Sequence, residues 1–249
     1  MTKLSVNINK LATLRNSRGG NNPDLVAWAR EIEDLGVAGI TVHPRPDERH
    51  IRFQDVRELS NLVRGEFNIE GYPDEKWLAL VEEVAPDQAT LVPDPPEALT
   101  SNAGFKVSES YGFLAKVVER MTRVRSKRRG VAVRTSVFID PYLFSEDDAA
   151  TLRDIGVNRI ELYTEKFAHA CGTSDLADVL KVYKTAAEIA RDADLGVNAG
   201  HDLTYENLPI LLKAVPWVAE VSIGHALICD ALRFGMKETV SRYLASTKI

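Results

Sequence analysis

Short apolar runs rich in β-branched residues alternate along this chain with segments whose apolar positions recur at helical spacing. The short runs predict strands at 4–9 (LSVNIN), 39–44 (GITVHP), 67–72 (FNIEGY), 89–94 (ATLVPD), 134–140 (RTSVFID), 159–164 (RIELYT), 196–200 (GVNAG) and 219–225 (AEVSIGH). Helical segments lie between them. NPDLVAWAREIEDLG has Pro23 and Asp24 at its start and Gly36 after its end, a good pair of start and stop signals. PDEKWLALVEEV, SEDDAATLRDIG, SDLADVLKVYKTAAEIARDADLG and TYENLPILLKAV repeat the pattern. Residues 108–130 (SESYGFLAKVVERMTRVRSKRRG) predict a long helix whose basic end is solvated, where cations suit the helix dipole.

The strand-helix unit recurs about eight times, at roughly 25–35 residues each, with no break in composition. That predicts an α/β fold: one (β/α)₈ barrel with extra helices, a single domain over 1–249. A doubly wound sheet is the alternative, but no G-x-G-x-x-G follows the first strand.

Composition narrows the function. At 45% hydrophobic residues the chain can bury a sizeable core. A net charge of −5 does not favour nucleic acid or an anionic membrane, so an anionic substrate needs cations gathered locally. Cys171 and Cys229 form neither a disulfide framework nor a metal spacing, which fits a reducing compartment. The start MTKLSVNIN lacks a long apolar signal segment, and no apolar run reaches about 18 residues. The expectation is a soluble cytoplasmic protein.

The chemistry gathers where the predicted strands stop. After Ile40-Thr41-Val42 come His43, Arg45, Asp47, Glu48, Arg49 and His50, six ionisable side chains in eight positions. The first strand ends in Asn7, Asn9 and Lys10, the third in Glu70, the seventh at His201 and the eighth at His225. Catalytic groups of a barrel sit at the C-terminal strand ends. One strand-end histidine is usually structural or solvated, yet four of the five histidines fall at such ends. Glu48 and Arg49 are read as solvated loop charges. No H-x-H or H-E-x-x-H occurs, so no metal is expected. No G-x-S-x-G occurs, and neither cysteine sits at a strand end. Proton transfer by His and Glu remains, with Arg, Lys and backbone amides holding anions. Gly224-His225 opens a helix whose N–H groups suit phosphate. The loop 14–23, with Arg15, Arg18 and two glycines, suits a lid over an anion. These residues leave open other phosphate-binding barrels, such as a sugar-phosphate aldolase or epimerase, and a non-catalytic barrel that senses a phosphorylated ligand.

The blocks VNINKLATLRNSRGG, GITVHPRPDERHI, FNIEG, LVPD, LTSNAG, VNAGHDLTYEN and SIGHALI together resemble the pyridoxine 5'-phosphate synthase family, essentially end to end. The resemblance implies a barrel that assembles as a homo-octamer. It implies a transferase that condenses 3-amino-2-oxopropyl phosphate with 1-deoxy-D-xylulose 5-phosphate. The products are pyridoxine 5'-phosphate, inorganic phosphate and water, made without metal or redox cofactor. By resemblance His43 and Glu70 are bases and His201 is the proton donor. Asn7, Arg18, Asp202, Gly224 and His225 fall on aminoketone-phosphate positions. Asn9, Lys10, Arg45, His50 and Thr100 fall on sugar-phosphate positions. The chain departs from the family's common form at Asn9-Lys10 (usually Asp-His), at Asp202 (often Gly) and in ELYTEKFAHA (usually EIHTG).

Overall fold

A computed structural model describes residues 1–94 and 103–248. Eight parallel strands close into a barrel in chain order. They are β1 (Lys3–Asn7), β2 (Gly39–Val42), β3 (Glu66–Gly71), β4 (Gln88–Leu91), β5 (Arg134–Ile139), β6 (Arg159–Tyr163), β7 (Gly196–Gly200) and β8 (Val218–Ile223). Each predicted strand is present, and the single (β/α)₈ barrel is the fold. The helices are α1 (Asn9–Asn16), α2 (Leu25–Asp34), α3 (Phe53–Leu62), α4 (Glu75–Val84), α5 (Val107–Thr122), α6 (Glu146–Asp154), α7 (Glu165–Ala170), α8 (Leu176–Asp192), α9 (Leu208–Ala214), α10 (His225–Phe234) and α11 (Met236–Ser246). Among the described residues, no helix is long and apolar enough to cross a membrane.

Side chains alternate across each strand, so one set faces the helices and the other the barrel axis. Outward positions are apolar: Leu4, Val6, Ile40, Val42, Phe67, Ile69, Ile160 and Leu162 are all buried under the helices. Inward positions are polar. Ser5 Oγ and Thr41 Oγ1 are 2.7 Å apart, Thr90 Oγ1 donates to Asn68 Oδ1 at 3.0 Å, and Asn198 Nδ2 donates across the barrel to Gln88 Oε1 at 3.4 Å. The axis is therefore largely hydrogen-bonded rather than greasy, although Ser136 Oγ in β5 and Glu220 Oε2 in β8 are buried without a hydrogen-bond partner among the described residues. Capping follows the sequence signals: Asp24 accepts from the N–H groups of Val26 and Ala27 at the head of α2.

Two expectations change. The first strand stops at Asn7, and Asn9 and Lys10 already belong to α1. The long basic helix is also shorter than its pattern: α5 ends at Thr122, and Arg125 pairs with Ala132 in an isolated antiparallel bridge. The basic run is not a helix end, although its cations stay exposed to solvent. Arg128 Nε donates to Asp87 Oδ2 at 2.9 Å and its Nη1 to the Val63 carbonyl at 2.6 Å, while Arg129 Nη1 reaches the Asp87 carbonyl at 3.2 Å. A buried carboxylate just before β4 needs donors, and that demand outweighs helical propensity here.

Candidate active site

The C-terminal strand ends surround a cavity of about 630 Å³. Glu70 stands at its base. Its Oε1 accepts from Ser222 Oγ at 3.1 Å and its Oε2 from Asn7 Nδ2 at 3.3 Å. His43 Nδ1 lies 3.9 Å from the same Oε2. The strand backbone behind Glu70 is fixed by Trp77, whose indole N–H donates to the Glu70 carbonyl at 3.1 Å. Burial pushes the Glu70 carboxyl up to about 7, against the opposing effect of the Ser222 hydrogen bond. Burial, with Arg45 and His50 adding like charge, drives the His43 imidazole well below its ordinary value. At neutral pH the site thus holds a neutral imidazole beside a carboxyl poised between its two states, a pair suited to proton transfer.

Asn9 ties the β1 and β2 ends together. Its N–H donates to Asn7 Oδ1 and its Oδ1 accepts from the His43 N–H, both at 3.0 Å. The first contact is made by the Asn9 backbone, and the second by the side-chain oxygen that Asn and Asp share. Lys10, exposed at the head of α1, lines the cavity with Arg45, Arg49 and His50 and supplies positive charge to its rim. Arg45 is buried and donates to Asp94 Oδ2 at 3.1 Å. Burial, then Arg45 and Lys10, lowers the His50 pKa to about 4, so this ring is neutral. Its Nδ1 accepts from the Ile51 N–H at 2.9 Å, which places the ring proton on Nε2 as a donor.

His201 and Asp202 after β7, and Gly224 and His225 after β8, line the same cavity. Gly224 is demanded by close approach: a Cβ there would lie 2.9 Å from the Asn7 carbonyl oxygen. His201 and Asp202 both have left-handed backbone, φ +85° and +54°. Such conformations cost on the order of 1–3 kcal/mol each outside glycine. The bend is held by the Thr164 hydroxyl, which donates to the His201 carbonyl, and by Asn207 Nδ2, which donates to the Asp202 carbonyl at 3.1 Å. The His201 ring packs edge-on against Tyr163, with centroids 5.0 Å apart, and its Nδ1 is 2.9 Å from Asp202 Oδ2.

All the expected site residues but two line this one cavity. Arg18 is exposed and outside its lining, and Thr100 lies outside the described residues. Arg15, grouped with Arg18 as a lid cation, is buried and forms a two-point pair with Asp55 at 2.6 and 2.8 Å. It anchors α1 to α3 and is not available to a ligand. The reading of Glu48 and Arg49 as solvated is also corrected. Glu48 Oε1 accepts the first N–H of α3, from Phe53, at 2.8 Å. Arg49 lines the cavity while pairing with Asp47 at 2.7 Å. Sequence reasoning missed Glu161, Glu165, His169 and Ser222, which also line the cavity. For Glu161 and Ser222 the signal was the strand alternation: both share the inward phase that carries Glu70.

A family model described as "Pyridoxal phosphate biosynthesis protein PdxJ" matches residues 4–248. The chain belongs to this family. The pyridoxine 5'-phosphate synthase of Parabacteroides distasonis is 50% identical over 245 residues, 98% of each chain. That of Cytophaga hutchinsonii is 50% identical over 248 residues, 100% of each chain. More distant structures share the barrel. A phosphoribosyl anthranilate isomerase from Thermococcus kodakaraensis superposes with a TM-score of 0.59 at 13% identity, covering 100% of this chain and 99% of its own. Tryptophan synthase from M. tuberculosis gives 0.62 at 12% identity, covering 100% and 94%. At those identities the likeness shows fold alone. Family membership places the chain in pyridoxal phosphate biosynthesis, and the cavity at its strand ends is the place to look for the chemistry.

Proposed function

We propose that this PdxJ-family chain is a pyridoxine 5'-phosphate synthase that condenses 3-amino-2-oxopropyl phosphate with 1-deoxy-D-xylulose 5-phosphate, releasing phosphate and water. The observation that carries the reading is the Glu70–His43 pair at the base of a cavity rimmed by Lys10, Arg45 and Arg49. Imine formation, loss of water, loss of phosphate and ring closure each move a proton next to a carbonyl or hydroxyl carbon. A carboxyl near neutrality both takes and returns protons at working pH, and each well-placed acid or base supplies about 10²–10⁴-fold. His43, neutral because it is buried, takes a proton first. Glu70 serves as the second base, and His201, after β7, returns a proton to the leaving group. These steps need neither a metal nor a redox cofactor.

The two anionic substrates account for a cationic rim in a chain of net charge −5. On this reading Asn9, Lys10, Arg45, His50 and Thr100 hold the sugar phosphate. Asn7, Gly224 and His225 hold the aminoketone phosphate at the head of α10, where backbone N–H groups point at the ligand. Arg18 joins that site only by movement of its loop, which would also exclude water from reactive imines. The homo-octamer and the cytoplasmic location belong to the same proposal. Light scattering on the purified protein tests the first.

The deciding assay incubates the purified chain with both substrates and follows product absorbance together with phosphate release. Formation of pyridoxine 5'-phosphate only when both are present is expected. Turnover of either substrate alone would favour an aldolase or epimerase, and binding without turnover would favour a sensor.

A further inference from the structure

The segment after β7 carries a side chain that the reaction scheme leaves without a part. Asp202 lines the cavity, and its backbone is left-handed, φ +54°, which is costly for an aspartate. Its carboxylate does not point into the cation rim. Oδ2 lies 2.9 Å from Nδ1 of the preceding residue, His201, and Asn207 holds the carbonyl of Asp202. Two consecutive non-glycine residues with positive φ place adjacent side chains on the same side of the bend, where an extended strand would send them apart. The ring is held on its other side by Tyr163, itself buried and donating through its hydroxyl to Glu165 Oε2 at 2.5 Å.

We propose that Asp202 is a positioning residue for His201: its carboxylate accepts the Nδ1 proton, fixes the tautomer and commits Nε2 to proton exchange with the substrate. This rests on the synthase reading for what the proton does, though not for the pairing itself. A carboxylate that accepts from Nδ1 fixes the tautomer and the orientation of the ring. The hydrogen bond from His201 holds the Asp202 carboxyl below its ordinary value. Other titratable groups face the pair. Glu161, Tyr163, Glu165 and His169 come from β6 and α7, Glu70 from β3 and His225 from α10. Glu161 approaches closely, since a Cβ on Gly200 would meet its Oε1 at 2.3 Å. Their contributions are common to every variant below, so differences between variants isolate Asp202.

Asp202→Asn keeps an acceptor for Nδ1–H and removes the charge. Asp202→Gly removes both, and glycine adopts the left-handed backbone without strain, so the fold is retained. Nitrogen-15 NMR of the ring reads the tautomer directly, with His201→Gln assigning the resonance: a protonated Nδ1 is expected in wild type and in Asp202→Asn, and loss of that preference in Asp202→Gly. Turnover is expected to fall roughly tenfold in kcat in Asp202→Gly with KM within about twofold, and less in Asp202→Asn. An unchanged tautomer in Asp202→Gly overturns the pairing. A changed tautomer with kcat intact, or a rise in KM for the aminoketone phosphate with kcat intact, overturns the positioning role and returns Asp202 to substrate binding. Wild-type protein that makes no product while its His201 tautomer still depends on Asp202 rejects the synthase reading and leaves the pairing standing.

Discussion

The two ends of the barrel use the same residue types to opposite effect. Just before β4, Asp87 is buried, and burial alone would raise its carboxyl. Hydrogen bonds from Ser126 Oγ at 2.7 Å, the Phe67 N–H at 2.9 Å and Arg128 at 2.9 Å outweigh this and hold it below its ordinary value. At the end of β3, Glu70 is enclosed too, but its hydrogen bonds come from neutral donors, Asn7 and Ser222, and it is pushed up to about 7. Arg134, bonded to Glu66, closes the N-terminal end further. At the mouth, Arg45 is committed to Asp94 instead of Glu70. Both carboxyls are raised by burial, and the choice of partner separates them: Asp87 has a cationic donor in Arg128, and Glu70 is hydrogen-bonded by Asn7 and Ser222.

The largest expected effect breaks the mouth. Glu70→Gln keeps volume and removes the base, so kcat is expected to fall about 10²–10⁴-fold with circular dichroism unchanged. Near-normal turnover would show that Glu70 is no base. The matching change at the other end is Asp87→Asn. It leaves Arg128 without its anion and is expected to lower unfolding free energy by about 3 kcal/mol in urea titrations, while kcat per folded molecule stays the same. A loss of activity without a loss of stability would erase the distinction between the ends.

The pH dependence of stability sharpens the contrast through its sign. Glu70 has a folded pKa raised from 4.5 to about 7, so the folded state holds its proton more tightly than the unfolded chain. Its ionisation therefore costs stability, by nothing below about pH 4 and by about 2–3 kcal/mol above pH 7. Relative to wild type, Glu70→Gln should gain stability as pH rises from 5 to 8, as read by thermal melts across that range. Asp87 has a lowered folded pKa, so its contribution is present above its unfolded value and is lost as pH falls through the folded one. A destabilised Glu70→Gln at pH 8 would mean that the carboxylate is held by charge after all. The smallest expected effect concerns the loop. Arg18→Ala should raise KM for the aminoketone phosphate about tenfold and leave the sugar phosphate within about twofold. An effect confined to the sugar phosphate would reverse the assignment of the two phosphate sites.

The sequence by itself determined the barrel and most of the residues that line the candidate site. Strand-helix alternation at barrel spacing is a local signal, readable because each strand must bury one face and each helix one stripe. The site was legible at His43, Glu70, His201 and His225 for the same reason: chain position relative to a strand end is itself local, and closure brings all strand ends to one mouth. Only tertiary structure decided which charges are used up. Arg15 and Arg18 look alike three residues apart, but one is buried against Asp55 and the other is exposed. The basic run at 123–130 reads as a helix end, but the helix stops at Thr122, and Arg128 and Arg129 bond to Asp87, about forty residues upstream. Glu161 shows in the sequence only as an inward strand position, yet burial first, and then the charges of Glu70 and Glu220, drive its carboxyl well above the ordinary range. A pairing or a pKa depends on groups distant in sequence and near in space, and a one-dimensional pattern carries no record of those distances.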